Sequence, residues 1–378
     1  MTGLPERAAR AMVAPVVVAL LAGGCLHAPT GPGGARAVGC AAALGKAKET
    51  VVRAEAAGAV WDGPTTGPRA VPGKRIVLVA EAMTNPGVAG VARGVQDAGR
   101  SIGWNVRVID GQGGPAGIKA AFGQAIALRP HGIVIAGFDP NSVAHEVRQA
   151  NQAGIPLIGW HAVASPGPST APRLFTNITT RVEDVASVSA RWVIAKSNGR
   201  AGVVVFTDSS IPFAEHKSQL IKKGLEECPG VKLIAYENIP IPDATSRMPQ
   251  EVSSLLARFG DRWTYSVAIN DLYFADAAPA LRARGRKGDG PPFAIGAGDG
   301  EPSAFARIRE RNFQAATVPE PLNQQGTQII DEFNRAFAGR PPSGYVAPVH
   351  LTTAENVDAT TSWDPRGYRE AYQRIWRV

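Results

Sequence analysis

The chain has 378 residues, 44% of them hydrophobic and 19% charged, with a formal net charge of +8. That length suits two domains of roughly 150 residues with substantial cores. Lys and Arg are spread without runs or interleaved aromatics, so the basic excess implies solubility and a mild attraction for anions, not a nucleic-acid interface. Six scattered histidines show no metal-ligand spacing, and no motif calls for a cofactor.

Residues 1–24 read as a bacterial export signal. Arg7 and Arg10 precede an apolar run over 11–21, Ala22, Gly23 and Gly24 close it, and Cys25 follows. A cysteine at that point resembles a lipobox, whose thiol is acylated before cleavage, although Ala22 stands where leucine is usual. An ordinary secretory signal that contains a cysteine is the alternative. The run contains Pro15 and falls short of the about 20 apolar residues that span a membrane. The mature chain is therefore expected in the periplasm or held by lipid on the outer face of a membrane, its only membrane contact.

Residues 25–73 read as a leader or tether: a Pro/Gly-rich start, a helix over 41–57, and an extended strap over 61–68 in which Trp61 packs against the body. Cys40 lies in this leader and Cys228 at a helix end. They are free to pair if Cys25 is acylated, but nothing in their setting resembles a disulfide framework, and the reading is against it.

A strict alternation then begins. Val/Ile-rich runs at 75–80, 105–109, 132–136 and 155–158 alternate with amphipathic segments, including 88–101 and 141–151, the latter opened by Asn141 as a cap. After Thr180 the pattern restarts with a helix over 183–196 and runs at 201–206, 232–236, 266–269 and 293–295. Such runs are buried on both faces, as parallel strands under helices must be. Two consecutive sets predict an α/β protein of two doubly wound parallel-sheet lobes. The lobes are expected over 74–179 plus 322–349 and over 180–321 plus 350–378. Ligands of such sheets sit beyond the carboxyl ends of the strands, where strand order reverses, so facing lobes form a cleft.

The residues after each strand are therefore the candidates. Asn85 is a helix cap or a donor–acceptor for hydroxyls. Trp160 and His161 suit a sugar, whose C–H face stacks on rings while its hydroxyls hydrogen-bond; the alternative is a core indole and a solvated imidazole. In the second lobe the strand ends offer 208–217 with Phe213, then Asn270-Asp271, then Gly298-Asp299-Gly300. Asp299, between two glycines after an apolar run, is the sharpest candidate, against an Asx-turn aspartate.

The order and spacing of these segments over 74–345 resemble the ribose-binding-protein type of periplasmic solute-binding protein, the receptors of sugar ABC transporters. The anchors are Thr84-Asn85-Pro86, the stretch 150–158, Ala268-Ile269-Asn270-Asp271, the stretch 295–300 and the stretch 314–318. The resemblance implies two lobes joined by hinge crossovers that close on a small ligand, acting as a monomer with an ABC permease. It implies that Asn270 and Asp299 hydrogen-bond sugar hydroxyls, and Glu320 stands where the family often carries a ligand-binding glutamine. Gly87-Val88 replace the paired aromatics expected after Asn-Pro. His161-Ala162 replace an aspartate–arginine pair. The arginine near the start of the second lobe's first helix has only Lys217 or Gln219 as a counterpart. Trp160 and Phe213 are expected to supply the missing aromatic surface. The implied ligand is a sugar or polyol, but not ribose in particular.

No nucleophile elbow, phosphate loop or paired catalytic group is present, and Gly111-Gln112-Gly113-Gly114-Pro115 reads as a surface turn, so no enzyme is expected. Two other uses of the architecture stay open from sequence. One is a sensory receptor for chemotaxis or a histidine kinase, the other the effector domain of a lac-repressor-type regulator.

Overall fold

The computed structural model describes residues 32–358 and 361–377, without the side chains of 32–39. The export signal and Cys25 lie outside the described residues. In chain order the first half holds α1 (Pro32–Ala56), β1 (Arg75–Ala80), α2 (Pro86–Ser101), β2 (Asn105–Asp110), α3 (Pro115–Ala127), β3 (Gly132–Ala136), α4 (Ala144–Gln152), β4 (Leu157–Trp160), β5 (Gly167–Thr170) and β6 (Arg173–Ile178). The second half holds α5 (Val182–Lys196), β7 (Ala201–Thr207), α6 (Pro212–Leu225), β8 (Val231–Asn238), α7 (Ala244–Phe259), β9 (Tyr265–Ala268), α8 (Leu272–Ala283), β10 (Phe293–Gly296), α9 (Pro302–Arg309), β11 (Ala316–Thr317), α10 (Leu322–Phe337), β12 (Thr352–Thr353) and α11 (Tyr368–Trp376).

The strands form two sheets, in the orders β2-β1-β3-β4-β6-β5 and β12-β11-β10-β9-β7-β8. Pairing is parallel except at one edge of each sheet, where β5 runs against β6 and β12 against β11. Strand order reverses between β1 and β3 in the first sheet and between β7 and β9 in the second, so each lobe has its own crevice. The two-residue period explains the burial. Ile76, Leu78 and Ala80 enter one core of the first lobe while Val77 and Val79 enter the other. Val203 and Val205 part from Val204 and Phe206 in the same way. This is the expected pair of doubly wound lobes.

Local details differ from the sequence reading. The fourth strand starts at Leu157, two residues late, because Pro156 has no N–H to pair and β4 opens its register opposite Ile133. Trp160 is thus the last strand residue. The cap before α4 is Asp139, which accepts from Asn141 N at 2.9 Å and opens a short 3-10 turn ahead of α4. Pro140, with its fixed φ, favours that earlier start. The β5–β6 hairpin was invisible in a Ser/Pro/Gly-rich stretch with little apolar alternation.

The leader is not a loose tether over its described part. α1 docks on the second lobe, with Ala47, Val51 and Ala54 entering the core beside Val185 and Trp192. Cys40 and Cys228 form a disulfide, contrary to the sequence reading, with Cα atoms 4.6 Å apart. Their separation of 188 residues is bridged only because α1 folds back onto α5, which spacing alone does not reveal. Gly199 makes room: a Cβ there would lie 2.8 Å from the Cys40 sulfur, and its φ is +78°. Trp61 packs against the body as expected, with ring centroids 4.9 Å from Tyr345 and 5.1 Å from Tyr372.

Beyond β12 the chain returns to the first lobe instead of staying with the second as expected. Tyr368, Tyr372, Ile375 and Trp376 of α11 fill the first lobe's core, and Trp376 donates to Asp331 Oδ1 of α10 at 2.9 Å. Among the described residues, no helix is long and apolar enough to cross a membrane.

Candidate functional site

The carboxyl ends of the two sheets face one another, and the side chains that follow the strands meet in a buried seam. On the first lobe Asn85 caps α2, accepting from Gly87 N at 3.1 Å. Its Oδ1 also lies 3.4 Å from Asn270 Nδ2 of the opposite lobe. The same Asn270 amide donates to Asp299 Oδ2 at 2.6 Å, while its Oδ1 accepts from Leu272 N and fixes the turn into α8. Cap and cleft residue are therefore one role for Asn85.

Asp299 is 6% exposed, and its carboxylate is directed into the seam, not into an Asx-turn. Gly87 makes the approach possible. A Cβ at that position would stand 2.3 Å from Asp299 Oδ2, so the aromatic expected here by resemblance would collide with the carboxylate. Behind Asp299 the loop is held by buried Asp271, which accepts from Gly300 N at 2.8 Å and Thr317 Oγ1 at 3.0 Å.

A second constellation lies where the chain crosses between lobes. His161 takes φ +50°, a conformation uncommon outside glycine, directly after β4. Its ring stacks between Trp160 (centroids 4.0 Å apart, planes 9° apart) and Phe213 of the opposite lobe (4.9 Å, 28°). Trp160 is buried, and its indole N–H donates to Gln325 Oε1 at 2.7 Å, so it backs His161 instead of facing the seam. Glu320 Oε1 accepts from Thr180 Oγ1 at 2.6 Å and lies 3.4 Å from His161 Nε2; its Oε2 accepts from Gln325 Nε2 at 2.6 Å. The Thr180–Glu320 bond ties one crossover to another.

The carboxylates of this half face a buried lysine. Lys217, which is buried, donates to the carbonyls of Ile269 and Ala297, and its ammonium lies 5.6 Å from the Phe213 ring centroid. Burial lowers the Lys217 pKa against the pull of Asp299, Glu320 and Asp271. Burial pushes the Asp299 carboxyl up to about 6, with Lys217 and His161 holding it back. Burial also raises Glu320, but the His161 charge and the bonds from His161, Thr180 and Gln325 outweigh it and leave the carboxyl below its usual value.

The structure thus brings together Asn85, Trp160, His161, Phe213, Asn270, Asp299 and Glu320. It does not bring in Gln219. That side chain is exposed on the outer face of α6, donating to Glu215 Oε1 at 2.6 Å and to the Tyr236 hydroxyl at 3.2 Å. Two residues along a helix is about 200° of rotation, so Lys217 and Gln219 cannot share a face, and Lys217 is the inward one. The sequence reading also passed over Glu81 and Asp208. Each directly follows the first strand of its lobe, beside the point where strand order reverses, and that position was the available signal. Both are buried. Burial and then repulsion from Asp208, opposed by a bond from Asn85 and with a smaller push from Asp110, raise the Glu81 carboxyl to about 7. The cleft's lips also touch: a Cβ on Gly113 would meet Pro242 Cγ at 2.8 Å.

Two doubly wound lobes with polar strand ends meeting across a seam beside their own chain crossings define a two-lobed small-molecule receptor. Residues 76–341, more than half of the chain, match the periplasmic binding protein domain, and the chain belongs to that family. Among solved structures it resembles a sugar ABC transporter subunit from Rhodobacter sphaeroides 2.4.1, at 20% identity over 75% of this chain and 99% of that one, with a TM-score of 0.65. An ABC transporter solute-binding protein from Agrobacterium vitis with bound allitol matches at 19% identity, 75% and 97% coverage and a TM-score of 0.66. One from Burkholderia graminis in complex with D-arabinose matches at 18% identity, 76% and 98% coverage and a TM-score of 0.67. At these identities the likeness shows the fold. No curated protein matches the sequence.

Proposed function

We propose that the protein captures a small polar solute, a sugar or polyol, outside the cytoplasm by closing its lobes on it, and delivers it to an ABC permease. The observation that carries this reading is the seam itself: Asn85 from one lobe and Asn270 and Asp299 from the other form one hydrogen-bonded group. Paired amides and a carboxylate are donors and acceptors for adjacent hydroxyls, and the His161–Phe213 stack offers a face for a sugar's C–H surface. Ligand bridging the lobes shifts an open–closed equilibrium that the permease reads. The bound allitol and D-arabinose of the similar structures support the ligand class.

In this reading the moving bodies are residues 74–179 with 322–349 and α11, against 180–321 with β12 and α1. The chain works as a monomer, and acylation of Cys25 holds it on the outer face of the membrane. Differential scanning fluorimetry of the mature protein against sugars and polyols tests the reading. A rise in Tm with at least one of them is expected. No shift with any, but a shift with nucleosides or aromatic acids, overturns it.

A further inference from the structure

We infer that the ligand carries a positively charged amine, as an amino sugar or amino polyol does, and that its ammonium sits between Glu81 and Asp208. This inference rests on the sugar-capture reading above and narrows its ligand class. The two carboxylates occupy equivalent places: each is the residue after the first strand of its lobe, at the point where strand order reverses, where ligands of such sheets bind. Glu81 is 5% exposed and Asp208 1%.

Neither carboxylate has a cation in direct contact; Arg247, the cation nearest Asp208's surroundings, is turned to the Asn238 carbonyl. Among the described residues no ion pair reaches either one. Asp208 is satisfied by neutral donors: Ser210 N at 2.9 Å, the Ser210 hydroxyl at 2.5 Å and Ile241 N at 2.8 Å. Glu81 is not satisfied. Its Oε2 is buried without any hydrogen-bond partner, beside Asn85 of the seam. A buried carboxylate oxygen left this way is costly, and a primary ammonium, with three donors and a full charge, is the group that would satisfy it while neutralising Asp208. A divalent metal is the weaker fit, because no three His, Cys, Asp or Glu side chains converge as a ligand set among the described residues. The His161–Glu320 half needs no such group, since Lys217 and His161 already face its carboxylates.

Isothermal titration calorimetry with matched pairs tests this: D-glucosamine against D-glucose, D-galactosamine against D-galactose, and glucamine against sorbitol, with the N-acetyl sugars as uncharged controls. At least one amine is expected to bind tenfold or more tighter than its hydroxyl partner, with the N-acetyl form losing that advantage. Glu81→Gln, which keeps the shape and removes the charge, is expected to bring the ratio within about twofold, with circular dichroism and a cooperative thermal unfolding transition as its folding control. Asp208→Asn is expected to narrow the ratio in the same direction. Neutral compounds binding as tightly as the amines, or an amine preference that survives Glu81→Gln, overturns the inference and leaves sugar capture standing. Absence of binding by every sugar and polyol, charged or neutral, removes both.

Discussion

On one side of the cleft Asp299 and Glu320 face a buried lysine and a histidine. On the other, Glu81 feels the repulsion of Asp208, whose own hydrogen bonds come from neutral donors. Both sides are equally buried, so burial alone does not separate them. The difference is whether the fold brings its own counter-charge. Lys217 comes from the inward face of α6 and His161 from the turn after β4, and both face the carboxylates of one half. In the uncompensated half burial and Asp208 raise the Glu81 carboxyl, and in the proposed reading a ligand cation completes it. A receptor that must open gains from such a division: one half is prearranged, and the other is completed by its guest.

The hardest way to break this arrangement is at Gly87. Gly87→Phe places a side chain where Asp299 Oδ2 would lie 2.3 Å from its first carbon, so the lobes cannot meet on either side. Calorimetry with the best ligand is expected to show at least a thousandfold loss of affinity, about 4 kcal/mol. Circular dichroism should be unchanged, because the residue sits at a lobe surface. Retained affinity would mean that the seam seen here is not the bound arrangement.

The next effect separates the halves by pH. Glu81 is raised from 4.5 to about 7 in the folded protein. A carboxyl raised on folding favours the fold while protonated, so its contribution is complete below pH 4.5 and is lost as pH climbs through 7. Glu81→Gln removes that loss. The variant should match the parent near pH 4.5 and exceed it above pH 7 by up to about 3 kcal/mol, read from urea unfolding at a series of pH values. Asp299 contributes its own decline at lower pH in both proteins and cancels in the difference. A flat difference across this range would show that Glu81 meets a counter-charge after all.

Smaller still is Asn270→Ala, which removes the amide joining Asn85 to Asp299. About a tenfold weaker affinity is expected, near 1.4 kcal/mol, because the two remaining acceptors can be reached by ligand or water. An unchanged Kd would place the ligand elsewhere in the cleft.

What could be read from sequence follows from these contrasts. Short Val/Ile runs buried on both faces announced both sheets, because their length and β-branched content mark them as strands where periodicity alone does not. The rule that ligands gather at strand ends led to Asn85, Asn270 and Asp299 without coordinates. The same rule pointed at Glu81 and Asp208, but a lone acidic residue after a strand reads as a solvated turn until its opposite number is seen across the gap. The Cys40–Cys228 pair was hidden for a related reason: helix docking sets it, and that leaves no mark on spacing. In sequence Trp160 suits a ligand wall or a core indole, and only its bond to Gln325, 165 residues away, reveals it as a backing residue.

Gln219 gives the smallest expected effect and the cleanest control for this way of reading. Resemblance offered Lys217 and Gln219 as equal counterparts of one arginine, whereas the geometry of α6 lets only one of them face inward. Gln219 is exposed and bonded to Glu215 and Tyr236 on the outer face, remote from Asp299 and Glu81 alike. Gln219→Ala should therefore change ligand affinity less than twofold and stability by less than about 0.5 kcal/mol, the range of ordinary surface substitutions. Lys217→Met, two residues earlier, removes the buried cation that Asp299 and Glu320 face and strands the Ile269 and Ala297 carbonyls, so it should weaken both properties clearly. If the two variants behaved alike, the inward register of α6 would be wrong, and with it the assignment of counter-charge to one half of the cleft only.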